Sequence, residues 1–194
     1  MVLYTVNDEE TKQRKGCPME ERIILTAEQR AARVYAFLDT LGVEYTAVDH
    51  PPAATMEDCR AVDALLGCAM CKNLFLCNRT ATDFYLLLMP ADKPFKTKEL
   101  SGQLGCSRLS FASGEAMEEY LGCAPGSASV LGLLFDEEKK VRLLIDGDLR
   151  SSSRIGCHPA VNTASVAINF EDLEGVILNA LGRECTYVTL TGGC

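Results

Sequence analysis

Lys72 and Asn73 stand before Leu74 to Cys77, an apolar run of strand length. A second word, His158-Pro159-Ala160-Val161-Asn162-Thr163-Ala164, sets an imidazole, a rigid proline and an amide-hydroxyl pair just ahead of the apolar run Val166 to Ile168. Both runs are too short for a helix and read as buried strands, so each word places polar groups at the mouth of an apolar wall. An ammonium, an amide and an imidazole in that setting suit hydrolysis of an activated ester. Such a reaction needs a held substrate, a placed water and donors facing the developing oxyanion, and no covalent nucleophile. His158 can bond the substrate or position water, Pro159 would keep its loop from swinging, and the amides of Gly156 and Cys157 are candidate oxyanion donors. Asn162 and Thr163 are equally at home as turn formers, because both residue types bond their own backbone.

Other chemistries stay open at this point. Cys157 beside His158, with His50 as a distant partner, could make a thiol hydrolase, although nucleophile and base usually converge from separate segments. Cys68-Ala69-Met70-Cys71 has metal-like or redox-like spacing, but no second pair accompanies it and His50 and His158 are the only imidazoles. Asp146 and Asp148 flank Gly147, which signals a turn, and no matching ligands complete a metal site. No metal and no cofactor are expected.

The words resemble those of the YbaK-like deacylases related to the editing domain of prolyl-tRNA synthetase, especially the free-standing branch that hydrolyses alanyl-tRNA(Pro). Further words follow in the family's order: His50-Pro51-Pro52 with Thr55-Met56-Glu57, Arg108-Leu109-Ser110-Phe111-Ala112, Pro125-Gly126-Ser127, and Gly132-Leu133-Leu134 with Asp146 after it. The resemblance spans roughly residues 28 to 180. It implies that Lys72 holds the terminal adenosine or its phosphate, and that the His158 loop faces the aminoacyl group. It also implies substrate contacts from Asn73, Thr55, Ser127, Pro159, Asn162 and Thr163. The partner would be a mischarged tRNA, most readily tRNA(Pro), with a transient synthetase contact and no DNA or membrane partner. Alanine is smaller than proline, so a synthetase site cannot reject it strongly by binding, and a second, smaller site restores accuracy. Ala53, Met56, Leu74 and Val161 are candidate pocket walls. A non-catalytic module binding the tRNA end, or a thiol-based redox or metal protein, is the alternative reading.

Composition bounds these readings. The 194 residues are 47% hydrophobic and 24% charged, enough for one well-filled core. No run of about 18 apolar residues exists, and the first residues lack the basic-then-apolar order of a signal peptide, so a cytoplasmic protein is expected. Ten cysteines without the regular spacing of a small secreted domain read mostly as free thiols. A net charge of −8 argues against nucleic acid, yet between Lys72 and Arg108 six basic residues stand against three acidic ones, a local +3 that suits a transient tRNA contact.

Periodicity then supplies the elements that must position the words. Thr26 and Gln29 form a capping box, and Ala31, Val34, Tyr35, Leu38 and Leu41 recur at helical spacing until Gly42. Tyr45 to Val48 reads as a strand, Thr55 can cap a helix ending near Gly67, and Leu74 to Cys77 pairs with Phe84 to Met89 as a hairpin. Helices over Thr97 to Leu104 and Ser113 to Leu121 follow, then a second hairpin of Val130 to Phe135 with Val141 to Asp146. A strand over Ser165 to Ile168, a helix over Glu171 to Leu181 and a strand over Thr186 to Leu190 close the chain. The fold expected is one α+β domain, residues 26 to 194, around a mixed, mainly antiparallel central sheet flanked by helices, behind an extension of residues 1 to 25.

Overall fold

The computed structural model describes residues 25–52 and 56–192. Helix α1 (Ala27–Leu41) carries the predicted capping box at Thr26 and ends at Gly42, whose φ of 67° is the left-handed turn that glycine adopts without strain. It is followed by β1 (Tyr45–Asp49), α2 (Met56–Leu66), β2 (Cys71–Cys77), β3 (Phe84–Pro90), α3 (Thr97–Leu104), β4 (Ser110–Phe111) and α4 (Gly114–Leu121). Strands β5 (Val141–Asp146), β6 (Arg154–Cys157) and β7 (Ala164–Asn169) come next, then α5 (Phe170–Asp172), which runs on into a π-helical turn over Leu173–Leu178, and β8 (Cys185–Val188).

The strands form two sheets rather than one. Five are ordered β4-β2-β3-β5-β8 and three are ordered β1-β7-β6. Antiparallel pairing joins β1 to β7, β6 to β7, β2 to β3 and β2 to β4, whereas β5 lies parallel to both β3 and β8. The α+β class and the mixed, mainly antiparallel character are therefore as expected. The expected second hairpin does not form. Val130–Phe135 is a 3-10 helix, with the Ser129 hydroxyl accepting from the Leu131 amide, and buried Asp136 accepts the amides of Lys140 and Val141 beyond it. The Arg183 guanidinium locks the same carboxylate at 2.8 Å. An apolar run of six fits either element, and here buried Asp136, held by distant Arg183, decides.

Burial explains the strand sequences. Phe84 to Met89 is apolar throughout because β3 is central and covered on both faces. On one side Phe75, Leu86, Leu88, Leu143 and Ile145 meet Val34 and Leu38 of α1 and Ile155, Val166 and Ile168 of the smaller sheet. On the other side Leu76, Tyr85, Leu87, Met89 and Leu144 pack with Leu100 and Leu109. Strand β6 has no strand signal in the sequence because it is only four residues long and contains a glycine. That glycine is required: a Cβ on Gly156 would lie 2.8 Å from Met70 Sδ and 3.1 Å from the Ala69 carbonyl oxygen, where the start of β2 crosses β6.

Candidate active site

Strand β2 begins at Cys71, so Lys72 and Asn73 lie within it rather than at its mouth. The pleat then sends them to opposite faces, since successive side chains alternate. Strand β4 covers β2 only at Leu76 and Cys77, so the edge beside Lys72 and Asn73 is left uncovered by β4.

On one face, Cys71, Asn73 and Phe75 line a cavity of about 290 Å³ together with Met117, Ala128 and His158. The Asn73 amide is oriented by its surroundings. The Val130 amide donates to its Oδ1 at 2.8 Å, which turns its Nδ2 to the other side, where one hydrogen reaches the Cys71 carbonyl at 3.2 Å. A second N–H of that Nδ2 remains to donate into the cavity. His158 Nδ1 lies 2.9 Å from the Ala164 carbonyl oxygen. A carbonyl only accepts, so Nδ1 carries the proton and Nε2 keeps its lone pair. Burial, and to a lesser extent neighbouring His50, lower the His158 pKa below the ordinary histidine value against the opposing pull of the Ala164 bond. The ring is therefore a neutral base at pH 7.

The loop carrying His158 is tight. Pro159 is buried, and buried Ala160 holds a φ of 62°, a left-handed conformation that costs a non-glycine residue about 1 kcal/mol or more. Asn162 Nδ2 reaches within 3.9 Å of where a Cβ on Gly126 would sit, tying this loop to the Gly126–Ala128 wall of the cavity. Thr163 is exposed, and its carbonyl accepts the His50 amide at 2.9 Å.

Some residues expected here are elsewhere. The Gly156 amide donates to the Ala69 carbonyl at 3.1 Å, which removes it from the oxyanion donors. Antiparallel alternation turns the next amide, that of Cys157, toward its partner Val166 in β7. Ser127 is buried and donates to the Ala124 carbonyl, so its neighbours Gly126 and Ala128, not its hydroxyl, line the cavity. Thr55 and Ala53 lie outside the described residues. Of the other expected walls, Leu74 lines both the cavity and the groove described below, and Val161 is buried.

The thiols do not make a nucleophile. Cys157 is fully buried, and burial, then the nearby Cys71 thiol, push its pKa far up. Cys71 lines the cavity, but burial, then Cys68, push it to about 12. Neither is a thiolate at neutral pH.

Across the β2 edge, Lys72 lines a second depression of about 540 Å³ with Phe95, Lys96, Lys98, Arg108 and Phe111. Lys72 Nζ donates to the Lys93 carbonyl at 2.8 Å, which holds the ammonium at the groove wall. Phe111 is 63% exposed and meets Phe95 edge-on at 6.4 Å, an aromatic surface among cations that the sequence pattern does not mark. Leu74 and Phe111 belong to both the cavity and the groove, so the two adjoin.

Lys93, counted above with the basic segment, is not available to it. Its ammonium lies 2.7 Å from both Asp146 and Asp148, and Asp146 is 0% exposed. Burial opposes the charge, but the two carboxylates outweigh it and raise the Lys93 pKa. Lys93→Met should therefore destabilise the fold by roughly 3 to 5 kcal/mol, the cost of stranding one member of a buried pair. Thermal or denaturant unfolding measures it, and a loss under about 1 kcal/mol would show the pair to be solvated.

The fold thus sets a small cavity on one face of the β2 edge and a groove lined by lysines and an arginine on the other. The chain belongs to the aminoacyl-tRNA editing domain family, whose model matches residues 50–176. ProX, a prolyl-tRNA editing protein of Acetoanaerobium sticklandii, is 34% identical over 144 residues, which is 74% of this chain and 88% of ProX. The prolyl-tRNA synthetase associated domain-containing protein 1 of Danio rerio is 32% identical over 139 residues, 71% of this chain and 75% of that protein. A proline--tRNA ligase of Methylobacillus flagellatus is 36% identical over 92 residues, 44% of this chain and 16% of the ligase. Among solved structures, a candidate trans-editing enzyme for prolyl tRNA synthetase shares the fold with a TM-score of 0.62 at 19% identity, covering 83% of this chain and 97% of that one. Among the described residues no helix is long and apolar enough to cross a membrane.

Proposed function

We propose that the protein is a trans-editing hydrolase that deacylates mischarged tRNA, with alanyl-tRNA(Pro) as its foremost substrate. The observation that carries this reading is the neutral His158, its Nε2 lone pair left unprotonated, lining a small cavity that adjoins the basic groove across the uncovered edge of β2. The aminoacyl group occupies the cavity and the terminal adenosine crosses the edge, its base against Phe111 and its phosphate near Lys72. Base-aromatic stacking is worth about 1 to 3 kcal/mol and tolerates any base.

In this arrangement His158 Nε2 takes a proton from water as the water oxygen attacks the ester carbonyl. The tetrahedral oxyanion is met by Asn73 Nδ2–H, the donor that replaces the Gly156 amide. Collapse breaks the ester C–O bond, and the ribose hydroxyl leaves with the proton returned by His158. Amino acid and uncharged tRNA are the products, and the 34% identity to ProX, a prolyl-tRNA editing protein, supports this reading. Work in trans implies a transient encounter with tRNA leaving a synthetase.

Single-turnover deacylation of a panel of charged tRNAs tests it. Alanyl-tRNA(Pro) should be hydrolysed fastest and prolyl-tRNA(Pro) spared. Tight binding without turnover of any member would make this a non-catalytic module that binds the tRNA end. The pH dependence follows from His158: a neutral base is lost when it protonates, and its pKa lies below the usual value. The enzyme-dependent rate should thus hold level from about pH 8 down through about 6.5 and fall only below that. A rate already halved near pH 7 would exclude His158 as the base.

A further inference from the structure

We infer that Ser165 and His50 are positioning residues that help hold His158 in the tautomer the Ala164 carbonyl favours; the inference rests on the deacylase reading for its kinetic part. Strand β7 places Ser165, 0% exposed, between the two imidazoles, whose ring centres are 6.2 Å apart. Ser165 Oγ is 2.8 Å from His50 Nε2 and 3.4 Å from His158 Nδ1. His50 Nδ1 is 2.8 Å from the Pro51 carbonyl oxygen.

The proton positions follow from the two carbonyls at the ends of this chain. The Pro51 carbonyl can only accept, so His50 Nδ1 carries a proton, and in the neutral ring His50 Nε2 is the acceptor. The Ala164 carbonyl likewise fixes the proton on His158 Nδ1. Ser165 has a single proton to give, and the only ring nitrogen able to accept it is His50 Nε2. Its lone pairs then face His158 Nδ1–H as a second, longer acceptor. The consequence lies in the cavity: with Nδ1 protonated, Nε2 keeps the lone pair that the reaction requires.

Without the His50 acceptor, the remaining contact of the buried Ser165 hydroxyl among the described residues is His158 Nδ1. Donation there would compete with the Ala164 bond and shift part of the population to the tautomer protonated on Nε2, blocking the base. His50 thus acts through Ser165 without touching substrate. The β1–β7 pairing holds it there, Val48 opposite Ser165 and the His50 amide on Thr163.

Nitrogen-15 NMR of imidazole-labelled protein at about pH 8, above the ordinary histidine range, reads the tautomer directly. In the unaltered protein His158 Nε2 should give the pyridine-type signal. His50→Leu should move His158 toward a mixture of tautomers, and His50→Gln, whose carbonyl oxygen can still accept from Ser165, should restore it. The rate constant at saturating substrate should fall about tenfold in His50→Leu, a typical coupling within one hydrogen-bond network, with KM within about twofold. Ser165→Ala removes the mediator, and His50→Leu added to it should cause no further loss. An unchanged His158 spectrum in His50→Leu, or losses that multiply in the double variant, would overturn the relay. Absence of turnover in every protein, the unaltered one included, would sink the deacylase reading, and the spectra would still decide the relay.

Discussion

His158→Ala is expected to lower the single-turnover deacylation rate by about 10² to 10⁴, the range for removal of a positioned general base, while Cys157→Ala leaves it within about twofold. The contrast is what matters, because the two residues are neighbours in sequence and opposites in environment. His158 lines the cavity with a free Nε2, and its lowered pKa keeps that nitrogen unprotonated at neutral pH. Cys157 is sealed in the core between the sheets, with its thiol held protonated by burial. Its replacement by alanine removes one buried sulfur, so the cost should appear in stability, at about 1 kcal/mol, rather than in rate. Both variants should retain the folding transition of the parent. If alkylating or replacing Cys157 stops hydrolysis and His158→Ala is silent, the thiol mechanism is correct and this one is not.

Asn73 and His158 were legible from residue type because polar groups before apolar strand-length runs mark a strand edge. Their arrangement was not legible. Strand β2 proved to start at Cys71, so the pleat, with its period of two, places Lys72 and Asn73 on opposite faces. A shift of one strand boundary by a few residues converts one motif into two half-sites. The oxyanion donor was misassigned for a related reason. A glycine before a catalytic loop looks like a free amide, but β6 was too short to recognise, and its non-local contact with Ala69 consumes that amide. Ser165 left no signal of its own: a serine in an apolar strand reads as tolerated polarity until the partner imidazoles, brought in from separate segments, give it a function. Local features such as the Thr26 capping box and the Gly42 stop were read correctly because they depend only on neighbours in sequence. Val130–Phe135 failed because choosing between strand and 3-10 helix depended on buried Asp136 and distant Arg183.

Lys72→Ala should lower kcat/KM about 10- to 100-fold, as expected for loss of one charge-assisted contact, with the fold intact. The lysine is half-buried at the groove wall and donates to a backbone carbonyl, and among the described residues no carboxylate pairs with it, so in the proposed function its charge meets the ligand. Lys96, Lys98 and Arg108 extend the same wall, whereas Lys93 is turned inward to Asp146. With about four cations facing the acceptor end, tRNA binding should weaken with salt at a log-log slope near −3. Replacing Lys98 and Arg108 together by alanine should flatten that slope by about 1 to 2 and weaken binding of correctly charged, mischarged and uncharged tRNA alike. Lys139, which donates to the Gly182 carbonyl, and Lys140, paired with Glu138, lie beyond the other end of the five-stranded sheet's β5 and serve as controls that should change neither quantity. Titration of a labelled tRNA at several salt concentrations decides between the faces. Equal losses from the two pairs would mean that the polyanion is held by general charge, and Phe111 would then have no adenosine to stack upon.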